Sequence, residues 1–192
     1  RASTQESAAK VKFTAGRWDQ YSAQLDISAP IVKGESGFRI SAEHIDNGSF
    51  YDHSSFESDS LYAALRFLPD DKSTWDINFE FYQVEFTDNA GINRPTQALI
   101  DHGLYITGQG VQPNGSLIPG AGAIISPTGQ VQISRSTVLT DPDNANEAET
   151  FLLHSIYTRE LSGQTRLKNS TYYQHLTRDE IAQNSFVEII DA

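Results

Sequence analysis

The chain carries five histidines, 25 acidic side chains and no cysteine in 192 residues. Without thiols, disulfides and thiolate-bound metals are excluded. His44, His53, His102, His154 and His175 are scattered. None has the His-Glu-x-x-His or His-x-His spacing that aims two imidazoles at one ion, so they read as polar groups of loops and strand faces and no metal is expected. Asp141, Asp143, Asn144 and Asn146 hint at a calcium loop but lack the glycine and closing glutamate that such a loop requires, and a solvated turn is expected there. Gly108-Gln109-Gly110 lacks the third glycine of a dinucleotide fold and reads as loop punctuation. Asp76 and Glu80 share a strand face but stand roughly 13 Å apart by the strand rise. That is too far for either glycosidase geometry. No catalytic group and no cofactor is expected, and the chain does not read as an enzyme.

The elements that hold these residues are strands. Trp75 to Phe86 reads WDINFEFYQVEF, with Trp75, Ile77, Phe79 and Phe81 on one face and Asp76, Asn78, Glu80 and Tyr82 on the other. An antiparallel sheet with one buried face gives this alternation, and so does a membrane-barrel strand with lipid outside and a polar lumen inside. The stretch has about the length that crosses a bilayer when tilted, roughly 9–11 residues. It begins with a tryptophan, where an interfacial aromatic girdle would sit. The same alternation predicts strands over 10–16, 20–30, 37–46, 59–68, 150–160 and 165–176, besides 74–86. Residues 1–9 read as a linker, and 87–148 as one long irregular loop in which Val131 to Ile133 pairs locally. Connections near 32–36, 69–73 and 162–163 are short, whereas 47–58 is of medium length and 87–148 very long. Short turns at one end and long loops at the other suit an outer-membrane barrel.

The net charge of −11 argues against a nucleic-acid partner, whose phosphates require Lys and Arg. No run reaches the roughly 18 apolar residues of a membrane-spanning helix, which does not exclude a barrel. The chain starts at Arg1 and has no methionine, which reads as a processed N-terminus or a piece of a longer protein.

The order KVKFTAG (Lys10 to Gly16), QLDISAPI, GFRISAEHIDN and LYAALRFLPDDKSTWDINFEFYQ (Leu61 to Gln83) resembles the TonB-dependent outer-membrane receptors. The resemblance is to the ferric-siderophore type, at the N-terminal part of the β-barrel only. It covers about half the chain strand by strand, and its motifs are degenerate in identity but specific in order and spacing. It implies an all-β fold, an antiparallel meander of about seven strands cut from a barrel of about 22 strands. Residues 1–9 would follow an absent plug and 10–192 would be partial barrel. It also implies a cell outer-membrane location in a Gram-negative bacterium, with a ferric siderophore or similar scarce nutrient as ligand. Further partners would be outer-membrane lipid and the TonB complex, the latter acting through the plug. Leu25, Ile27, Phe38, Ile40, Leu61, Leu65, Phe67, Trp75, Ile77, Phe79 and Phe81 would then face lipid. Arg39, Glu43, Arg66, Asp76 and Glu80 would face the lumen and pair across strands. The ligand would meet loop residues: Tyr51, Phe56 and Tyr105 by stacking, Arg94 by charge-assisted bonds, and His53 and His102 by hydrogen bonds.

Two other classes fit the composition, a secreted β-sandwich that binds carbohydrate and a passive porin or autotransporter barrel. The discriminator against the sandwich is whether the apolar faces form one continuous belt or pack on each other.

Overall fold

The structure, a computed structural model, describes residues 2–87, 96–111, 124–138 and 143–181. These fall into two compact units, one made by 2–49, 55–86 and 146–180, the other by 50–54, the described part of 87–145 and residue 181.

The larger unit is a single antiparallel sheet. Its strands are β1 (Ala8–Gly16), β2 (Gln20–Val32), β3 (Ser36–Asn47), β4 (Phe56–Asp70), β5 (Ser73–Phe86), β8 (Ala145–Ser162) and β9 (Thr165–Ile181). They lie in the order β1-β2-β3-β4-β5-β8-β9, a meander in which only the step from β5 to β8 skips elements. Every predicted strand is present, and most run further than the alternation alone indicated. The second passes beyond Pro30, because the register shifts between Pro30 and Val32 and the ladder resumes at Val32 with Ser36. Such a bulge is one of the few places where a residue without an N–H can sit in a sheet.

Cross-strand partners point to the same face, so the register sorts the side chains without ambiguity. One row runs Leu25, Ala42, Leu61, Phe81, Phe151, and the next Ile27, Ile40, Ala63, Phe79, Leu153. A third holds Phe38, Leu65 and Ile77, and a fourth Phe67, Trp75 and Tyr157. The apolar residues of five strands therefore form one uninterrupted band on one face, extended onto β1 by Val11 opposite Leu25. Small residues sit between large ones, so rings meet edge to face: Phe79 and Phe151 at 5.2 Å, Phe151 and Tyr173 of β9 at 6.0 Å. Edge-to-face contact is the geometry favoured by ring quadrupoles.

The apolar face is left uncovered. On the apolar face Phe13 is 78% exposed, and Leu25, Ile40, Leu61, Leu65 and Trp75 are also exposed. On the polar face Ala64 is 3% exposed, and the Arg66 and Asp76 side chains retain only 14% and 17%.

The short connections are stitched together. The Leu68 N–H donates to Glu35 O (2.6 Å) and the Glu160 N–H to Lys72 O (2.9 Å), while Lys72 N–H is capped by Asp70 (2.9 Å). A backbone segment, residues 3–4, also docks at this end. Gly34 N–H donates to Thr4 O at 2.8 Å. A Cβ on Gly37 would stand 1.8 Å from Ser3 O, so only glycine admits the segment here. Gly37 shares its row with Arg66 and Asp76, so residues 3–4 lie against the polar face.

The smaller unit occupies the stretch expected to be irregular. It contains a helix, α1 (Gln97–His102), and a hairpin of β6 (Leu104–Val111) and β7 (Ile124–Gln132). The helix starts where the Thr96 hydroxyl accepts the Leu99 N–H and stops at Gly103 in the left-handed region (φ 70°). Gly108-Gln109-Gly110, read above as loop punctuation, lies within β6, and the register shifts between Thr107 and Gly108. A glycine is well suited to that irregularity. Unlike the sheet, this unit has a conventional core, with Tyr105 wholly buried and Val138 also buried.

Candidate functional site

The polar face of the sheet is a lattice of paired groups. Arg39 grips Asp26 through Nε at 3.0 Å and an Nη at 2.5 Å, and Arg66 grips Asp76 at 2.7 Å through both nitrogens. Gln24 donates to Glu43, Tyr62 donates to Asn78 (3.0 Å), and His154 shares a hydrogen bond with Ser170 (2.8 Å). Two-pronged guanidinium–carboxylate contacts are rigid and mutually neutralising. They hold neighbouring strands together. Arg39, Glu43, Arg66, Asp76 and Glu80 all fall on this face. The eleven residues expected on the opposite face, from Leu25 to Phe81, all fall there.

The apolar band has two different borders. At the short-turn end it finishes in aromatics, Phe67 and Trp75 at 5.9 Å with Tyr157 opposite Trp75, and Trp75 Nε1–H donates to Ser155 Oγ at 2.9 Å. An indole that keeps its ring in the band and satisfies its N–H suits an interface between apolar and aqueous phases. At the long-loop end the same face turns polar within one row. His44 meets Asp59 at 2.9 Å, and the next row aligns Asp46, Glu57, Glu85 and Glu147. His44, Glu57 and Asp59 bring ligand atoms within 4.8 Å of one another, all exposed. Sequence reasoning missed this grouping, because the three residues converge only through the β3–β4 register.

The expected ligand-binding residues are not gathered in one place. Phe56 stands on the polar face of β4 opposite Asn47 and Phe86. Tyr51 packs edge-on against Phe50 (5.4 Å), and His53 sits in the same loop with φ 55°. Tyr105 is fully buried, so its ring serves the core of the smaller unit instead of meeting a ligand from solvent. Its sequence neighbours do not reveal this burial. Arg94 lies outside the described residues. His102 closes the last turn of α1 and lines a cavity of about 670 Å³ together with Phe50, Leu99, Ile100, Ile133 and Arg135. Phe50, Ile100 and Arg135 were absent from the expected set. The cap signals Thr96 and Gly103 were the available clue to a short helix there.

No family model matches the sequence, and no curated protein does. Solved structures are similar in fold. The P. aeruginosa receptor FpvA, in complex with heterologous pyoverdine and iron, is 17% identical with a TM-score of 0.65, over 91% of this chain and 20% of that one. FpvAI bound to a pyocin gives 18% and 0.66, over 91% and 19%. The ferric-catecholate import receptor Fiu of E. coli, in a closed form, gives 12% and 0.62, over 92% and 22%. The chain thus spans about a fifth of the length of each. At such identities the likeness is one of fold: a seven-stranded antiparallel section matching part of a β-barrel.

Proposed function

We propose that this chain is a section of the wall, with one long outer excursion, of a TonB-dependent outer-membrane receptor that takes up ferric siderophores or a similarly scarce nutrient. The observation that carries the reading is the uninterrupted apolar band on one face of a single-layered sheet, backed by an ion-paired polar face. In water such a band would be a large exposed patch, a liability that soluble monomers avoid. Against lipid tails it is the expected outer surface, and the polar rows become the lumen lining. Its borders agree, with aromatics at the short-turn end and charged rows at the long-loop end. The similarity to siderophore receptors favours an active receptor over a passive porin. The band in one continuous sheet disfavours a sandwich, whose two apolar faces must cover each other.

On this reading the protein performs no chemistry on its substrate. Ligand is captured at the long-loop end. Passage is driven from the periplasm through a TonB-type partner acting on a plug outside this chain. The wall section contributes rigidity: Arg39–Asp26 and Arg66–Asp76 fix adjacent strands. The slot at Gly37 lays residues 3–4 on the polar face, where a preceding plug would connect.

The test is made with the full-length protein in its cell of origin. Membranes are fractionated, gel mobility is compared with and without heating, and uptake of labelled ferric chelates is measured under iron limitation. The reading predicts outer-membrane recovery, a heat-dependent mobility shift, and uptake that stops when the proton-motive force is collapsed. A detergent-independent soluble monomer contradicts it. Uptake that survives loss of the proton-motive force points to a passive barrel.

A further inference from the structure

At the short-turn end the apolar band of the sheet runs into a cleft of about 890 Å³, within the size range of ligand sites. The turns that wall it are fixed by Leu68 N–H to Glu35 O (2.6 Å) and by Lys72 N–H to the Asp70 carboxylate (2.9 Å). Its lining combines the rings of Phe67 and Trp75, 5.9 Å apart and inclined at 42°, with three carboxylates, those of Glu35, Asp70 and Asp71.

The charge of this lining is one-sided. Asp70 is already engaged by the Lys72 amide and by Ser73, and the Arg159 cation acts on it. Glu35 and Asp71 have no side-chain bond or ion pair with a described residue. Lys33 and Lys72 belong to the same turns and Arg159 stands opposite Ser73, yet none of the three lines the cleft. The remaining side-chain polar groups are the hydroxyls of Ser36, Ser73 and Thr74, which serve a donor or an acceptor alike. A primary ammonium answers both features. Its N–H groups suit carboxylates that lack a partner, and its charge suits the face of an indole or phenyl ring.

Position narrows the source of that ammonium. Phe67 and Trp75 form the last row of the band, and the next row holds Leu65 and Ile77. A molecule seated in the cleft therefore has an apolar surface leading away from it. A soluble amine leaves that surface unused, whereas a phospholipid covers it with its acyl chains.

We propose that this cleft receives an ethanolamine phospholipid, its ammonium held by Glu35 and Asp71 against the Phe67 and Trp75 rings and its acyl chains laid along the apolar band. The inference deepens the receptor reading and rests on it for the presence of a bilayer at this border.

The test uses the full-length protein in detergent micelles, with bound lipid counted by native mass spectrometry. The probes are phosphatidylethanolamine and phosphatidylcholine of identical acyl chains, which share a net charge and differ in the N–H groups of the headgroup. The ethanolamine lipid binds saturably, and the choline lipid at least about tenfold more weakly, the worth of one charge-assisted bond. Glu35→Gln combined with Asp71→Asn removes that preference. Glu57→Gln combined with Asp59→Asn, which removes the same charge at the long-loop border, leaves it intact. An unaltered heat-dependent gel shift shows that the variants remain folded. Equal binding of the two lipids, a preference indifferent to the Glu35 and Asp71 changes, or an equal loss in both double variants each overturns the proposal. Displacement of the lipid by an equal concentration of free phosphoethanolamine overturns it in favour of a soluble amine. If these failures occur in a protein recovered from the outer membrane, the headgroup site fails alone. If a detergent-independent soluble monomer still prefers the ethanolamine lipid through Glu35 and Asp71, the receptor reading fails alone.

Discussion

The two units of this chain solve the problem of apolar surface in opposite ways. The smaller one buries a core, with Tyr105 inaccessible and Val138 buried, although Phe50, Tyr51 and Ile100 stay exposed. The seven-stranded sheet displays its apolar residues, with Leu25, Ile40, Leu61, Leu65 and Trp75 open on one face while Ala64 and Val84 are buried on the polar side. Hydrophobic burial drives folding only where the alternative is water. The proposed receptor reading accounts for a bare apolar side by placing a different solvent there. On the proposed reading one unit meets water and the apolar face of the other meets lipid, and substitutions should respond according to which solvent each meets.

The largest effect is expected in the smaller unit. Tyr105→Ala removes its fully buried ring and costs about 3–5 kcal/mol, as for other aromatic truncations in packed cores. Hydrogen exchange should accelerate across β6 and β7 and stay unchanged in β2 to β5. Uniform acceleration would erase the distinction between units.

Next is the band itself. Ile40→Arg places a cation in its central row and should lose about 2–4 kcal/mol of stability in lipid vesicles, the range for arginine near the bilayer midplane. On an exposed face in water the same change would fall within about 0.5 kcal/mol. Ser41→Arg, on the opposite face of the same strand, should stay near that smaller figure. Denaturant titration of the two variants side by side sharpens the contrast between faces, and equal losses would break it.

Arg66→Leu leaves Asp76 without its two-pronged partner on the shielded polar face. The expected cost is about 1–3 kcal/mol, the penalty for a polar group deprived of its bond, read from the unfolding midpoint. The Arg39–Asp26 pair is more exposed (36% and 35%), so Arg39→Leu should cost less. Smallest is Thr96→Ala, which removes the N-cap of α1 and costs about 1 kcal/mol. Its readout is faster exchange at the Leu99 amide, with the sheet unaffected.

Gly37→Ala tests the slot instead of the solvent. The methyl and Ser3 O cannot share the same space, so residues 3–4 should leave the polar face. Protease sensitivity near Ser3 should rise without loss of the β2–β3 ladder.

The sheet was legible in the sequence because a period of two is a local property. WDINFEFYQVEF states its own faces, and its neighbours repeat the pattern. It was clear even in β3 and β4, where histidine and acids end the apolar row. β8 was harder, since Leu152 and Ile156 stand on the polar face opposite Glu80 and Asp76 and blur the alternation. The smaller unit was not legible, for two physical reasons. α1 spans less than two full turns, too short to develop a helical period, and β6 pairs with β7 across a long intervening segment. Its cavity joins Phe50 to Arg135, residues that no local pattern relates. Tyr105, a stacking candidate by type, is buried, which its neighbours Leu104 and Ile106 do not indicate.

The most direct test of the account is a cysteine scan of β5, made simple by a chain with no native cysteine. Single cysteines from Trp75 to Tyr82, introduced into the full-length protein in lipid vesicles, are labelled with a fluorophore and challenged with lipid-borne and water-soluble quenchers. The account predicts a period of two, with positions 75, 77, 79 and 81 quenched from the lipid and 76, 78, 80 and 82 from water. Odd positions shielded from both quenchers, as beneath a second protein layer, would contradict it.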